Sequence, residues 1–261
     1  MTLTTAFSTL KSVPLKGENM KNLTSRSFVA LALAAAMGLG IPTIASADST
    51  TTTTTIPSAS FLTAQKALEV QLANRLTQLT HLTADVTAAV SLSTSTSAIL
   101  QARLLTEETS INALITKVPN DTTRAELNAD RAAMLKDNRV YAVMSPQVFE
   151  MIEASVVAGE VTTMQGNEST LQSEVNSIVG LPGYKNALNH YNNYVTRLSN
   201  WSTRIVSVEA TVLAQTPQGY PGNTKIFLNQ NHNILNANIA LAYAGYDASI
   251  IGLATGGYTG S

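Results

Sequence analysis

The stretch 184–208, YKNALNHYNNYVTRLSNWSTRIVSV, sets Tyr184, Tyr191, Leu198 and Ile205 seven residues apart, with Ala187, Tyr194, Trp201 and Val208 in the complementary positions. An α-helix turns once in 3.6 residues, so both rows fall on one face and make an a/d seam of nearly four heptads. Such a seam packs on helices running almost parallel or antiparallel to it. The aromatic members, Tyr184, Tyr191, Tyr194 and Trp201, are candidates for lining a pocket or stacking on sugars. Their heptad spacing places them in the core, with hydroxyls reaching its edge.

Toward the C-terminus, Thr216-Pro217-Gln218-Gly219-Tyr220-Pro221-Gly222 reads as a loop and Asn223 as the cap of a last helix. That helix carries two apolar stripes at heptad spacing. Phe227, Ile234, Ala237, Leu241, Ala244, Ala248 and Ile251 form one; Leu228, Leu235, Ile239, Ala242, Tyr246, Ile250 and Leu253 form the other. Beyond Lys225 its only charge is Asp247. A helix apolar on two faces is central in its bundle or covered by another chain. A self-association face is expected at Leu241, Tyr246, Ile250 and Leu253, giving a homo-oligomer. Asn236, Asn238 and Asp247 interrupt the run and argue against a membrane span.

Toward the N-terminus the helical period continues. Gly180-Leu181-Pro182-Gly183 stops a segment running through Phe149, Ile152, Val157, Val161, Leu171 and Ile178. Met144-Ser145-Pro146 reads as a kink or very tight junction, with Ser145 as a cap and Arg139 bonding the carbonyls that Pro146 leaves free. Leu127, Met134 and Tyr141 form the stripe before it, and Asp121 is expected to cap that segment. Leu100, Leu104, Ile111, Leu114 and Val118 form another. Leu68, Leu72, Leu79, Leu82, Val86 and Val90 form the first, and the Ser/Thr cluster 91–97 separates the two. The fold class is therefore all-α: an elongated up-and-down bundle of four to six helices over residues 61–254, packed like a coiled coil. Residues 255–261 read as a flexible tail.

Residues 20–47 have the layout of an export signal. Lys21 and Arg26 are basic, Phe28 to Leu39 is apolar apart from Gly38, and Ala45 and Ala47 fit the small-x-small cleavage rule. Residues 1–19 have no place in such a signal and read as a start codon set too far upstream. Residues 48–60, with six threonines from Thr50 to Thr55, form a Thr/Ser-rich stalk too polar to fold. Removing residues 1–47 leaves 12 basic against 16 acidic residues, a net charge of −4. No basic patch suits a polyanion, which argues against nucleic acid. The chain has no cysteine, so an exported form relies on its core rather than on disulfides. The expected address is extracellular, in contact with the cell envelope.

Chemistry is sparse. His81, His190 and His232 lack the Glu-x-x-His spacing of a di-iron bundle, since Gln78, Ala187 and Asn229 stand three residues before them. No metal site and no cofactor is assigned. One histidine with Met134, Met144, Met151 or Met164 could still hold haem or copper, although these methionines fit a core. Glu107 and Glu108, Glu150 and Glu153, and Asp130 and Asp137 are carboxylate pairs that read as solvated faces rather than acid/base pairs.

Arg139-Val140-Tyr141 followed by Pro146, and Tyr220-Pro221-Gly222-Asn223 before an apolar last helix, come with the export signal and Ser/Thr stalk. In these the chain resembles uncharacterised secreted helical proteins of actinobacteria. The resemblance implies an envelope or extracellular setting and assigns no activity or site residue. The leading expectation is a non-enzymatic contact module: a spacer, adhesive or assembly protein bound to itself or to a cell-wall component. The alternatives are a carrier of a small apolar ligand or haem, lined by the aromatic residues and His190, and an enzyme acting on wall polymers.

Overall fold

The computed structural model describes residues 58–256. The signal with Ala45 and Ala47, stalk residues 48–57 and tail residues 257–261 lie outside them. Every regular element among the described residues is helical. Helix α1 spans Ala59–Ala88, α2 Thr94–Lys117, α3 Arg124–Lys136, α4 Ser145–Gln165, α5 Glu168–Ser177, α6 Tyr184–Leu213 and α7 Gly222–Gly256. Short 3-10 turns lie at Val118–Asn120 and Pro217–Gly219, and a π-helical turn lies at Val140–Met144.

The helix starts follow from capping chemistry. The first turn of a helix leaves amide protons unpaired, and hydroxyl side chains accept them. Ser58 Oγ accepts from the amide of Phe61 at 3.2 Å, and Ser93 Oγ from that of Thr96 at 3.1 Å. The helix therefore begins inside the segment read as stalk. Thr123, not Asp121, caps α3, because Glu126 stands three residues on and completes a capping box. Its carboxylate accepts from the amides of Thr122 and Thr123, which hold it below the usual carboxylate range. Asn223 is likewise not a cap. It is buried in the first turn of α7 and donates to Gln215 Oε1 and the Thr216 carbonyl, pinning the loop. Gly219 gives it room, for a Cβ there would lie 2.8 Å from Asn223 Nδ2. Gly183 precedes α6 at φ 96°, a left-handed conformation that suits glycine.

Side-chain bonds set the helix directions. Arg124 to Ser60, Gln78 to Ser145 and Ser91 to Ser155 join residues 64, 67 and 64 apart, so α3, the π turn and α4 run alongside α1 in one direction. Helix α2 returns against α1, for Gln65 near the start of α1 donates to the Val118 carbonyl at 2.7 Å. Helix α6 runs against α4: Gln147 reaches the Val212 carbonyl and Tyr194 the Met164 carbonyl. Helix α7 runs against α6, pairing His190 with Asp247 and Arg204 with Asn233. At 1.5 Å per residue, the 35 residues of α7 extend about 52 Å.

The core is the sequence stripes brought together. Leu68, Leu72, Leu79 and Leu82 of α1 are fully buried with Leu100, Leu104 and Ile111 of α2. Val157, Val161, Leu198, Ile205, Phe227 and Ile234 close the other half. Each large apolar side chain so buried stabilises the fold by about 1.5–3 kcal/mol. Val90, read as part of the first stripe, lies in the turn after α1 and is fully exposed. The segment expected to run unbroken to Ile178 divides at Gly166-Asn167 into α4 and α5. The Pro146 junction is tight, with Pro146 in the first turn of α4, directly after the π turn. Arg139 does not hold its carbonyls. Ser145 Oγ bonds the Val140 carbonyl at 3.1 Å, and the Arg139 guanidinium lies 4.0 Å from the Tyr220 ring centre.

Candidate functional site: the outer face of the last helix

Helix α7 has two apolar faces with opposite fates. Phe227, Ile234, Ala237, Leu241, Ala244 and Ile251 are buried against α4, α5 and α6. On the opposite side Leu228, Leu235, Ile239, Tyr243, Tyr246 and Leu253 are exposed, by 42% at Leu228 and 74% at Leu253. A row of large apolar side chains in solvent along most of a helix is the usual mark of a contact surface.

Of the residues expected to self-associate, Tyr246 and Leu253 lie on this exposed face and Ile250 is half-buried at its edge. Leu241 is a correction. It is 6% exposed and belongs to the core stripe. Leu228, Leu235 and Ile239 were missing from that set although they stand in the second stripe. The signal was the 227–234–241 spacing, which assigns Leu241 to the other face.

Beside this face, Asp247 of α7 is gripped by two side chains of α6. The carboxylate is buried, and burial of a charge requires partners. His190 Nδ1 lies 2.7 Å from Oδ1, and Arg197 Nε donates to Oδ2 at 3.2 Å. His190 packs edge-on to Tyr246, with ring centres 5.9 Å apart, and the Arg197 guanidinium lies 5.1 Å from the Tyr243 ring centre. The Asp247 cluster thus fixes the flank on which two of the exposed tyrosines rest. Further along, Arg204 lies over Trp201 at 4.3 Å, beside an open groove of about 590 Å³ lined by Arg197, Asn200, Trp201 and Arg204.

The aromatic row faces inward. Tyr194 and Trp201 are buried, while Tyr184 and Tyr191 pack partly buried against the core. The Tyr194 hydroxyl donates to the Met164 carbonyl, and burial, helped by Glu168, pushes its pKa up to about 12. Met134, Met144 and Met151 are buried, Met164 is partly so, and His81 and His232 are exposed. His190 is bound to Asp247. Among the described residues, no group of three or more His, Cys, Asp or Glu could hold a metal ion. Among them, too, no helix is long and apolar enough to cross a membrane.

No known family model matches the chain, and no curated protein and no solved structure is significantly similar to it. The site is therefore read from its own geometry.

The carboxylate pairs are a second correction. One member of each is buried: Glu107, Glu150 and Asp130. Asp130 is bonded to Lys117. Burial, with Asp137 nearby, raises Glu107 to about 7, and burial, with Glu153, raises Glu150 to about 9. Glu150 is therefore protonated at neutral pH. One turn earlier, Gln147 Nε2 donates to the carbonyls of Val212 and Gln215, each at 2.9 Å. Arg103 of α2 donates to the Leu213 carbonyl at 2.6 Å. A helix end leaves its last carbonyls unpaired, and here two other helices supply the missing donors. This junction ties α2, α4 and α6 together through the donors of Arg103 and Gln147, while Gln147 Oε1, Glu107 Oε2 and Glu150 Oε2 are buried without a hydrogen-bond partner among the described residues.

Proposed function

We propose that the protein is a secreted, non-enzymatic helical bundle that works by contact at the cell surface, as a spacer, adhesive or assembly module. The exposed apolar face of α7 carries this reading. Six large side chains stand in solvent there, on a helix whose other face is already fully used by the core. The reading includes an elongated up-and-down body with coiled-coil-like packing of α6 on α7, supported by the heptad rows that both helices carry. It also includes export, with cleavage after Ala47 and a Thr/Ser stalk ahead of the body, supported by the signal layout at 20–47.

The test is to express wild type and a Tyr246→Asp/Leu253→Asp double variant in the producing cell. Cells and culture fluid are then compared by fractionation and native mass spectrometry. The wild type is expected to start at Asp48 and to be recovered in assemblies or with the envelope. The variant, with unchanged helicity, is expected free and monomeric. Equal partition and equal mass of the two proteins would overturn the contact reading. A monomer with a reproducible extra mass would replace it with a carrier.

A further inference from the structure

We infer that the occupant of the α7 outer face is a second copy of the same helix, laid antiparallel about a two-fold axis between residues 240 and 241. This rests on the contact reading above and gives it a partner and a register.

The face is a heptad seam that reads the same in both directions. From Leu228 its central positions follow at steps of 4, 3, 4, 3, 4, 3 and 4 residues, ending at Leu253. All eight are exposed. A two-fold interface uses the same patch on both copies, so the patch must complement itself when reversed. This one does. In antiparallel alignment Leu228 meets the second copy's Leu253, Leu235 meets Tyr246, and Ile239 meets Ala242. Tyr246 falls opposite a smaller leucine and Ile239 opposite an alanine, while leucines of equal size meet in the end layers. The remaining layer sets His232 against Ser249, and a polar pair within an apolar seam is a device that fixes register. A parallel alignment would place Tyr246 on Tyr246 and Ala242 on Ala242, crowding one layer and leaving a gap in another.

Charge and area agree. The only charged residues of α7 are Lys225, before the seam begins, and Asp247, which is buried and bonded to α6, so nothing on the face repels its own copy. Helix α7 has no acidic residue in its first turn and no basic residue in its last. Helix α6 already sets an opposite end beside each end of α7, so the dipole does not choose the direction of a second copy. The six exposed large side chains, Tyr243 at the edge of the seam included, amount to roughly 600 Å² per copy, so a pair that covers all of it buries at most about 1,200 Å², against the ~1,000 Å² expected of a specific interface.

The cysteine-free chain makes cross-linking clean, because an introduced thiol has no competitor. Leu228→Cys and Leu253→Cys proteins are purified, mixed and mildly oxidised, and each is oxidised alone as a control. In the antiparallel pair, residues 228 of the two copies are separated by about 37 Å of helix, against the ~7 Å reach of a disulfide. Covalent dimer is therefore expected in the mixture and in neither control. Sedimentation of wild type should give a two-copy mass, and Leu235→Asp, with unchanged helicity, should weaken association at least tenfold. Cross-linking of Leu228→Cys alone would mean a parallel pair and overturn the register. A wild type that stays monomeric at high concentration would overturn self-pairing itself. Neither result touches the contact reading, which fails only by the partition experiment in producing cells.

Discussion

Around Gln147 the bundle buries polar groups, whereas along the outer face of α7 it exposes apolar ones. Both depart from the usual division of a folded chain, in opposite senses. At the junction the helix-end carbonyls are answered within the molecule, while Gln147 Oε1, Glu107 Oε2 and Glu150 Oε2 stay buried without a hydrogen-bond partner among the described residues. Helix α6 ends with unpaired carbonyls, and Gln147 and Arg103 donate to them from α4 and α2. On the outer face the departure is not answered among the described residues, where Leu228, Leu235, Ile239, Tyr246 and Leu253 stay exposed. A buried polar group that finds partners within the chain holds the architecture. An exposed apolar row without them is a surface for something else.

The strongest way to break this contrast is one substitution on both faces of one helix. Leu241→Asp would set an unpaired carboxylate in the core and is expected to cost roughly 4 kcal/mol or more, unfolding much of the bundle. Leu253→Asp is expected to change stability by no more than about 0.5 kcal/mol while removing contact. Denaturant unfolding of the two purified variants measures both. Equal losses would mean that α7 has no free face.

At the junction, Gln147→Ala removes the donor shared by two carbonyls and opens a fully buried space. The expected cost is about 2–3 kcal/mol, a fall in melting temperature of roughly 6–9 °C. A fall of under about 2 °C by calorimetry would show that Arg103 or water serves those carbonyls alone.

The buried carboxyls give the junction half of the molecule a pH signature. The ordinary value of Glu107 and Glu150 is 4.5, and burial raises them to about 7 and about 9. A group raised on folding binds its proton more tightly in the folded state. The stability it contributes is full below 4.5, declines as pH rises, and is gone above the folded value. Melting temperature should therefore fall by roughly 15 °C between pH 5 and pH 8. A Glu107→Gln/Glu150→Gln variant should lose most of that slope. A slope unchanged in the variant would remove these two groups as its origin.

Periodicity made the all-helical class readable, because apolar residues at heptad spacing admit few other structures. Both stripes of α7 were legible too. Which of them would face the core was not, since Leu241 and Tyr246 are each correctly spaced for a buried row. Only the packing of α4, α5 and α6 decides it. Caps were harder to read. Asp121 has the chemistry of a cap, yet Thr123 wins because Glu126 lies within reach to reciprocate. Glu107 and Glu150 were read as solvated because a carboxylate normally is. Their burial depends on helices distant in sequence, and spacing along one helix carries no trace of it. Arg139 was placed at the correct junction with the wrong partner, since Tyr220 comes near only when the α6–α7 loop folds back on the π turn.

That last pair supplies the smallest and most specific test. Arg139 and Tyr220 are 81 residues apart in the chain, and their side chains are in stacking contact. Tyr220 is 41% exposed, so the contact is partly solvated and worth about 0.5–1 kcal/mol. Single substitutions to alanine would each lower the melting temperature by roughly 2–4 °C, and neither alone would identify the partner. A double-mutant cycle does. If the guanidinium acts through the Tyr220 ring, Arg139→Ala should cost almost nothing once Tyr220 is alanine, giving a coupling of about 0.5–1 kcal/mol. If it acted on the carbonyls left free by Pro146, the two losses would simply add. Arg139→Lys sharpens the distinction, because an ammonium keeps the charge and can still bond a carbonyl but loses the flat face that stacks on a ring. Arg139→Lys should thus lose most of the coupling, and retention of it would return Arg139 to the carbonyls.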